Sequence, residues 1–353
     1  MFRNYKYDPN DPTDKHSFEI HDIDLAIINA IRRIILTDIP IPGIISEDDS
    51  TIDIIVNTGP LHNEIISHRI GLIPISLSEE DIENYVDNSI ELELNIKNDN
   101  AIIQNIDTSM ITGKKNGINL TKQELAKLFP SNKITNNHIL ITKIRQGEHL
   151  HFKANIVKKT ARLNASFSPV SLCNFSFIQD PTKAILKESI LDKERSYYKN
   201  AYGDPNAILF ELESINIYLE PKYYINKAIE IIVDKLNLLI NNITSESNKI
   251  EKFQSLENTY DFHIENEDDT LGNIIQSILH NKYVREKKTS FNDIVCSYIG
   301  YICPHPLKSL LIIRFTLEDQ TNKQTFIQFL EANCRTIINE LLDIKLSWNK
   351  FIL

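Results

Sequence analysis

Apolar positions recur along this chain with two periods, and each period predicts a different element. Residues 1–14 read as a flexible tail, with Pro9 and Pro12 among Asp and Asn. "HSFEI" predicts a short strand. Asp22 or Asp24 caps a helix over about 24–37, which Pro40, Pro42 and Gly43 stop. "STIDIIV" (50–56) predicts a strand and "LHNEIISHRI" (61–70) a short helix. "ELELNIK" alternates apolar and polar residues as a strand does, and "HILITKI", "HLHFKANIV" and "SLCNFSFI" predict further strands. Residues 110–135 form a polar, Lys-rich connection, and 180–205 a charged, Tyr-rich loop. "AILFELESINIYL" (207–219) predicts a strand pair or a bulged strand. Pro221 then opens a long helix over about 222–243, whose stripe is Ile225, Ile229, Ile232, Leu236, Leu239 and Ile243.

After a polar linker the plan starts again. "YDFHIEN" predicts a strand, and Asp269 or Thr270 caps a helix over about 270–282. "SYIGYICPHP" and "SLLIIRFTLED" are strands. A second long helix runs from about 322 to near the end, with Phe326, Leu330, Ile337, Leu341 and Ile344 on one stripe. Strand, short helix, strands and long helix thus occur twice, and the first copy carries an insertion of about 150 residues. The copies share letters: "NAIRRIIL" begins at Asn29 and "NIIQSILH" at Asn273.

At about 100° per residue, Ile27, Ile28, Ile31, Ile34 and Ile35 fall on one arc of about 120°. Asn29, Arg32 and Arg33 lie opposite, among Leu25, Leu36, Ala26 and Ala30. Aliphatics between charges suit a face meant for a protein partner, because arginine offers stacking area and a forked set of donors. The bland alternative is a solvated pair of arginines. The second copy places Leu271, Ile274, Ile275, Ile278 and Leu279 on one arc, with Asn273, Gln276, Ser277 and His280 opposite. Arg-Arg has become Gln-Ser, so a pseudo-symmetric pair would carry charge on one side only.

Composition narrows the class. Net charge is −10, which argues against nucleic-acid binding as the main task. Cys173, Cys296, Cys303 and Cys334 stand alone, so neither a zinc site nor a disulfide framework is indicated, and a reducing compartment follows. The polar amino terminus has no signal-peptide core, and no apolar run reaches the length of a membrane span. His149 and His151 share one face of a strand and are the one pair suggesting a metal, but no third ligand is evident nearby. His68, in "SHRIGLIPI", reads as a packing or hydrogen-bonding residue. "TGKKNG" lacks the spacing of a phosphate loop, and no Gly-x-Ser-x-Gly occurs.

"HDIDLAIINAIRRIILTDIPIPGI" with "NEIISHRIGLIPI", and later "ILITKIRQGEHLHFKANIVKKTARLNASFSP", closely resemble the third subunit of eukaryotic RNA polymerase II and the archaeal D subunit. From residue 257, "ENEDDTLGNIIQSIL", "SYIGYICPHPLKSLLIIRF" and the final helix resemble the eleventh subunit and archaeal L; bacterial alpha carries a related Thr-Leu-Gly-Asn helix. The resemblance implies an α+β fold: two alpha-amino-terminal-like dimerisation modules, pseudo-symmetrically paired, the first carrying a mostly β inserted domain. The expected boundaries are 15–48 with 205–243 for the first module, 49–204 for the insertion, 244–256 for the linker and 257–353 for the second module.

It also implies a non-catalytic assembly platform of a DNA-directed RNA polymerase. The implied partners are the largest, second-largest and small polymerase subunits, with no sequence-specific DNA binding of its own and no cofactor. Arg32 and Arg33, with Asn29 nearby, take the family's contact with the second-largest subunit; Lys158, Lys159 and Arg162 sit in a loop whose counterpart lies against polymerase partners. The halves are expected to pair through Ile28, Ile31, Ile35, Ile229, Ile232, Leu236, Leu271, Ile274, Ile278, Ile337 and Leu341. Fusion on one chain is similar to that of large DNA viruses, including the African swine fever virus type, so the expected setting is intracellular: virion and host cytoplasm, with the host nucleus as the alternative. Many relatives have a cysteine-rich zinc loop or iron–sulfur insertion where "SEEDIENYVDNSIEL" stands without cysteine, so no metal is expected. "REKKTSFND" (285–293) reads as an addition, and, unlike in bacterial alpha, no separate DNA-binding domain is expected after the last helix. Two other readings stay open: a free-standing interaction scaffold, and a metal-dependent enzyme using His149 and His151.

Overall fold

The computed structural model describes residues 1–11, 13–47, 50–244, 249–253, 256–287, 294–305 and 307–352. β1 (Phe2–Tyr7) and β2 (Lys15–His21) pair antiparallel. The expected tail is thereby corrected. Its first part is a polar edge strand, anchored where the Phe2 ring meets Phe18 at 6.3 Å. Asp24 caps α1 (Leu25–Thr37) by accepting the Ala26 amide, while Asp22 turns the chain at φ 55°. The isoleucine arc is buried, with Ile28, Ile31 and Ile35 at 1%, 4% and 0% exposure.

β3 (Ile41–Gly43) leads into the insertion. This holds β4 (Ile52–Asn57), α2 (Asn63–Gly71), α3 (Glu79–Glu83), β5 (Ile90–Lys97), β6 (Gln104–Asp107), β7 (Thr112–Lys115), β8 (Ile118–Asn119), α4 (Lys122–Leu128), β9 (Leu140–Ile144), β10 (His149–Asn155) and β11 (Val157–Lys159). Its main sheet has the order β4-β10-β5-β7-β8 around a core of its own that includes Ile70, Leu94 and Phe152. The stretch read as a polar connection holds a hairpin and α4, which starts on a reciprocal Thr121–Glu124 capping box.

β11 returns to pair with β3. β12 (Val170–Phe177) then joins β13 (Ala207–Ser214) in a sheet ordered β1-β2-β13-β12. This corrects the expected boundary at 204: β12 belongs to the first module. Alternation identifies a strand but not the sheet it enters. The short helices α5 (Pro181–Ala184) and α6 (Ile190–Glu194) fill the loop between β12 and β13, and α7 (Pro221–Thr244) follows.

The second half repeats the pattern with β14 (Lys249–Lys252), β15 (Thr259–Glu265), α8 (Asp269–Leu279), β16 (Cys296–Ile302), β17 (Leu310–Leu317) and α9 (Lys323–Phe351). Its sheet order, β14-β15-β17-β16, matches the first strand for strand. The expected linker therefore contains an edge strand, β14, which pairs with β15. The cap of α8 is Asp268, which accepts the Thr270 amide at 2.8 Å, rather than Asp269 or Thr270. Gly272 lets α8 lie close on the sheet: a Cβ there would stand 2.6 Å from Leu311. α8 runs on into a π-helical turn, His280–Arg285. Most of the "REKKTSFND" addition lies outside the described residues.

The halves meet through four helices. α7 and α9 are antiparallel: Asn226 donates to Asn349 at 2.8 Å, and Lys345 to Glu230 at 2.7 Å. α1 and α8 also run antiparallel, with Ser277 near the end of α8 donating to Asp24 ahead of α1. Ile229, Ile232, Leu236, Leu271, Ile274, Ile278, Ile337 and Leu341 are all buried in one continuous core with the α1 isoleucines. Trp348 of α9 is fully buried against the first sheet, its ring 4.6 Å from Phe18 and 5.0 Å from Phe2. Trp348→Ala should cost about 3–5 kcal/mol. Denaturant melts followed in both modules should show the loss in one shared transition, since the core is shared.

Candidate partner interface

The exposed half of α1 is built from Asn29, Arg32 and Arg33, all half-buried. Arg32 donates through Nε and Nη2 to Asn29 Oδ1, at 3.1 and 3.0 Å, which fixes the guanidinium along the helix. Burial pushes the nearby Cys173 thiol up to about 12, against the pull of the Arg32 charge. Arg33 lines a narrow notch of about 70 Å3 with Ala30 of α1, Asp269 and Asn273 of α8, and Tyr301 of β16. Among the described residues neither arginine has a carboxylate within 4.0 Å. Two oriented cations at the junction of two modules are available to an acidic group from elsewhere.

The three basic residues after β10 have partners inside the chain. Lys158 donates to the Ile82 carbonyl at 2.5 Å, and its own amide donates to Asp87. Lys159 reaches Asp87 at 3.3 Å. Arg162 donates to Asp38 at 2.6 Å and to Asp268 at 2.9 Å. The Arg162 guanidinium thereby ties the first module to the α8 cap of the second. Lys235 of α7 extends the network, 3.6 Å from Asp38 and 3.1 Å from Glu267.

Physical chemistry explains these charges. Asp38 ends α1, where the helix dipole disfavours a carboxylate, and two cations compensate it. Burial raises the Asp268 carboxyl, but hydrogen bonds from Thr270 and the Arg162 guanidinium outweigh this and leave it below its ordinary range. Burial dominates at Glu267, whose carboxyl is raised despite Lys235.

The two helix caps obey one rule. Asp24 of the first half accepts Ser277 at 2.9 Å and Asn281 at 2.9 Å from the second. Asp268 of the second half accepts Arg162 from the first. Sequence reading missed this pair, although each aspartate stands five residues ahead of the aligned Asn29 or Asn273.

His149 and His151 lie on the outer face of the insertion. Their ring nitrogens contact Asn95 at 2.7 Å and Glu93 at 2.9 Å across β5. No group of three or more metal-binding side chains converges among the described residues, and none of their helices is long and apolar enough to cross a membrane.

A family model described as the RNA polymerase Rpb3/Rpb11 dimerisation domain matches residues 17–236, more than half of the chain, and a second such model matches 259–346. The chain belongs to the RNA polymerase Rpb3/Rpb11 dimerisation-domain family. It carries two such domains, one in each half. The human DNA-directed RNA polymerases I and III subunit RPAC1 is 29% identical over 185 residues, 47% of this chain and 51% of that protein. The Arabidopsis thaliana DNA-directed RNA polymerases II, IV and V subunit 3 is 22% identical over 193 residues, 51% of this chain and 57% of that protein. The Dictyostelium discoideum DNA-directed RNA polymerase II subunit rpb3 is 25% identical over 174 residues, 45% of this chain and 53% of that protein. The chain spans about half the length of these curated relatives. The Rpb3/Rpb11 label fits the geometry, since the paired helices are those that hold the halves together.

The Asp268–Arg162 tie gives a pH-dependent expectation. Asp268 titrates below its unfolded value, so its contribution is present above the ordinary aspartate range and is lost as pH falls through the folded value. Asp268→Ala removes both cap and ion pair and should cost about 1–2 kcal/mol at neutral pH, because Arg162 is half exposed and screened. Asp268→Asn keeps the cap, should cost less, and should flatten the acid limb of a melting-temperature profile.

Proposed function

We propose that this protein is a non-catalytic platform on which a multisubunit DNA-directed RNA polymerase assembles. The two dimerisation domains of one chain form the pair that such polymerases otherwise build from two subunits, and the large catalytic subunits dock on it. Fusion makes pairing intramolecular at high effective concentration and fixes the halves at one to one. Both halves on one chain also favour a large DNA virus as the source, with its transcription in virion and host cytoplasm.

The observation that carries this reading is the α1 surface. Arg32 and Arg33 are held at the rim of the module junction with no carboxylate partner among the described residues. We assign them the contact with the second-largest polymerase subunit, with Asn29 orienting Arg32. Lys158 and Lys159 form a weaker, secondary contact, because their ammonium groups are already engaged within the chain. Arg162 contributes indirectly by holding the two modules in register. A free-standing scaffold would share the fold but would not co-purify with catalytic subunits.

Arg33→Glu reverses a half-buried charge that has no internal partner, so the chain should stay folded, with its thermal melt within a few degrees of wild type. Co-expression and pull-down with the second-largest subunit should recover at least about tenfold less partner. Recovery at the wild-type yield would contradict the assignment.

A further inference from the structure

Each dimerisation sheet ends in an open strand under the short helix of its own module: β12 beside α1 in the first, and β16 beside α8 in the second. The two strands match, down to a register shift at the second residue of each. Among the described residues β16 pairs only with β17, and the backbone N–H and C=O groups on its other side, over 297–302, make no hydrogen bond. Soluble proteins blunt such edges with charge, brevity or distortion, because an open edge can pair with a strand of another chain. The opposite edges of the two sheets obey this. β1 carries Arg3 and Lys6 with a register shift between them, and β14 is four residues long and holds Glu251 and Lys252. β16, "CSYIGYI", has seven residues and no charge, and its one register shift leaves 298–302 regular.

The two faces of this edge differ. Residues directly opposite across a strand pair share a face, so Tyr298, Gly300 and Ile302 point outward with Thr316, Arg314 and Ile312 of β17. Tyr298 and Ile302 are 53% and 59% exposed, and the Tyr298 ring lies across Gly300, where a Cβ would collide with it. The charge in this row is engaged: Arg314 donates to both oxygens of Asp261 at 2.7 Å. On β12 the matched positions are Leu172, Asn174 and Ser176, so the larger apolar row belongs to β16. On the inner face Tyr301 lines the notch with Arg33. Asp269 shares that notch without an ion pair to Arg33; it lies against Cys303, whose thiol is pushed up by burial and then by the Asp269 charge. Asp268 is taken by Arg162. The inner side of this end of β16 therefore offers a cation, Arg33, that forms no ion pair among the described residues.

We propose that β16 is completed by a strand from another polymerase subunit: an extended segment whose outward side chains are apolar and pack beside Tyr298 and Ile302, and whose inward side carries a carboxylate beside Arg33. A free row of backbone donors and acceptors fits a strand rather than a helix. A second copy of this chain fits less well, because β16 has no carboxylate to offer Arg33. The inference rests on the platform reading above and deepens it, since the arginine contact and the added strand become two parts of one interface.

Hydrogen exchange is measured by mass spectrometry on the full chain alone and in the assembly purified with the other polymerase subunits. Peptides covering 296–302 should exchange at least about tenfold more slowly in the assembly. Photoreactive benzoylphenylalanine in place of Tyr298 should cross-link to one segment of another subunit, in which apolar residues alternate and an Asp or Glu is present. Ile302→Lys blunts the edge at an exposed position, so the chain should melt as the wild type does, while protection and cross-link yield both fall at least about tenfold. In an intact assembly, unchanged exchange over 296–302, a cross-link confined to a second copy of this chain, or a cross-linked segment without a carboxylate overturns the added strand and leaves the platform reading standing. So does wild-type protection in a normally melting Ile302→Lys chain. A chain that joins no polymerase subunit overturns both.

Discussion

The whole arrangement depends on burying four amphipathic helices against one another. α1 and α7 from the front of the chain, and α8 and α9 from the back, each carry an aliphatic stripe that their own four-stranded sheet shares with the opposite module. One continuous core results, running from Phe18 through Ile232 and Leu271 to Trp348. Neither half could keep its stripe from water without the other. The insertion stands apart in this respect, with its own buried core and its own sheet. It is nonetheless tied to the junction through α3, whose Ile82 joins the shared core and whose Glu83 pairs with Lys227 of α7 at 2.7 Å.

Polar contacts then give the junction its register. Hydrophobic burial is non-directional, so it does not by itself choose between neighbouring alignments of two antiparallel helices. The caps do: Asp24 and Asp268 each complete a helix start in one module while accepting a donor from the other. Sliding either helix by a turn would leave a half-buried carboxylate short of donors. Symmetry is kept in the core and caps and broken on the rim, where Arg33 and Ser277 occupy matched positions. A twofold-like frame thereby presents two different faces.

Much of this could be read in the sequence. The isoleucine arc of α1 and the stripes of α7, α8 and α9 follow from the 3.6-residue period, and the buried set is the expected one. The repeat was visible in element order and in the aligned Asn29 and Asn273. The edge strands of the two dimerisation sheets escape the sequence pattern for a common reason. β1 ("FRNYKY") has only Phe2 partly enclosed, and β14 ("KIEK") buries Ile250 beside exposed Glu251 and Lys252, so neither shows clear alternation. Alternation marks β12 as a strand, but nothing local says that it joins the first module rather than the insertion. The role of Arg162 was out of reach, because its acceptors lie 124 and 106 residues away and no local pattern links them. In a Lys-rich stretch it looked like one more solvent-facing cation.

The central claim is that the two modules are one folding unit. The direct measurement is to divide the chain within 245–248, express the two pieces separately, and follow each alone and mixed by sedimentation and thermal unfolding. The account predicts that the isolated pieces lack a cooperative transition as monomers, and that mixing restores a one-to-one complex with a single melt. Two pieces that each fold as stable monomers and do not associate would contradict it.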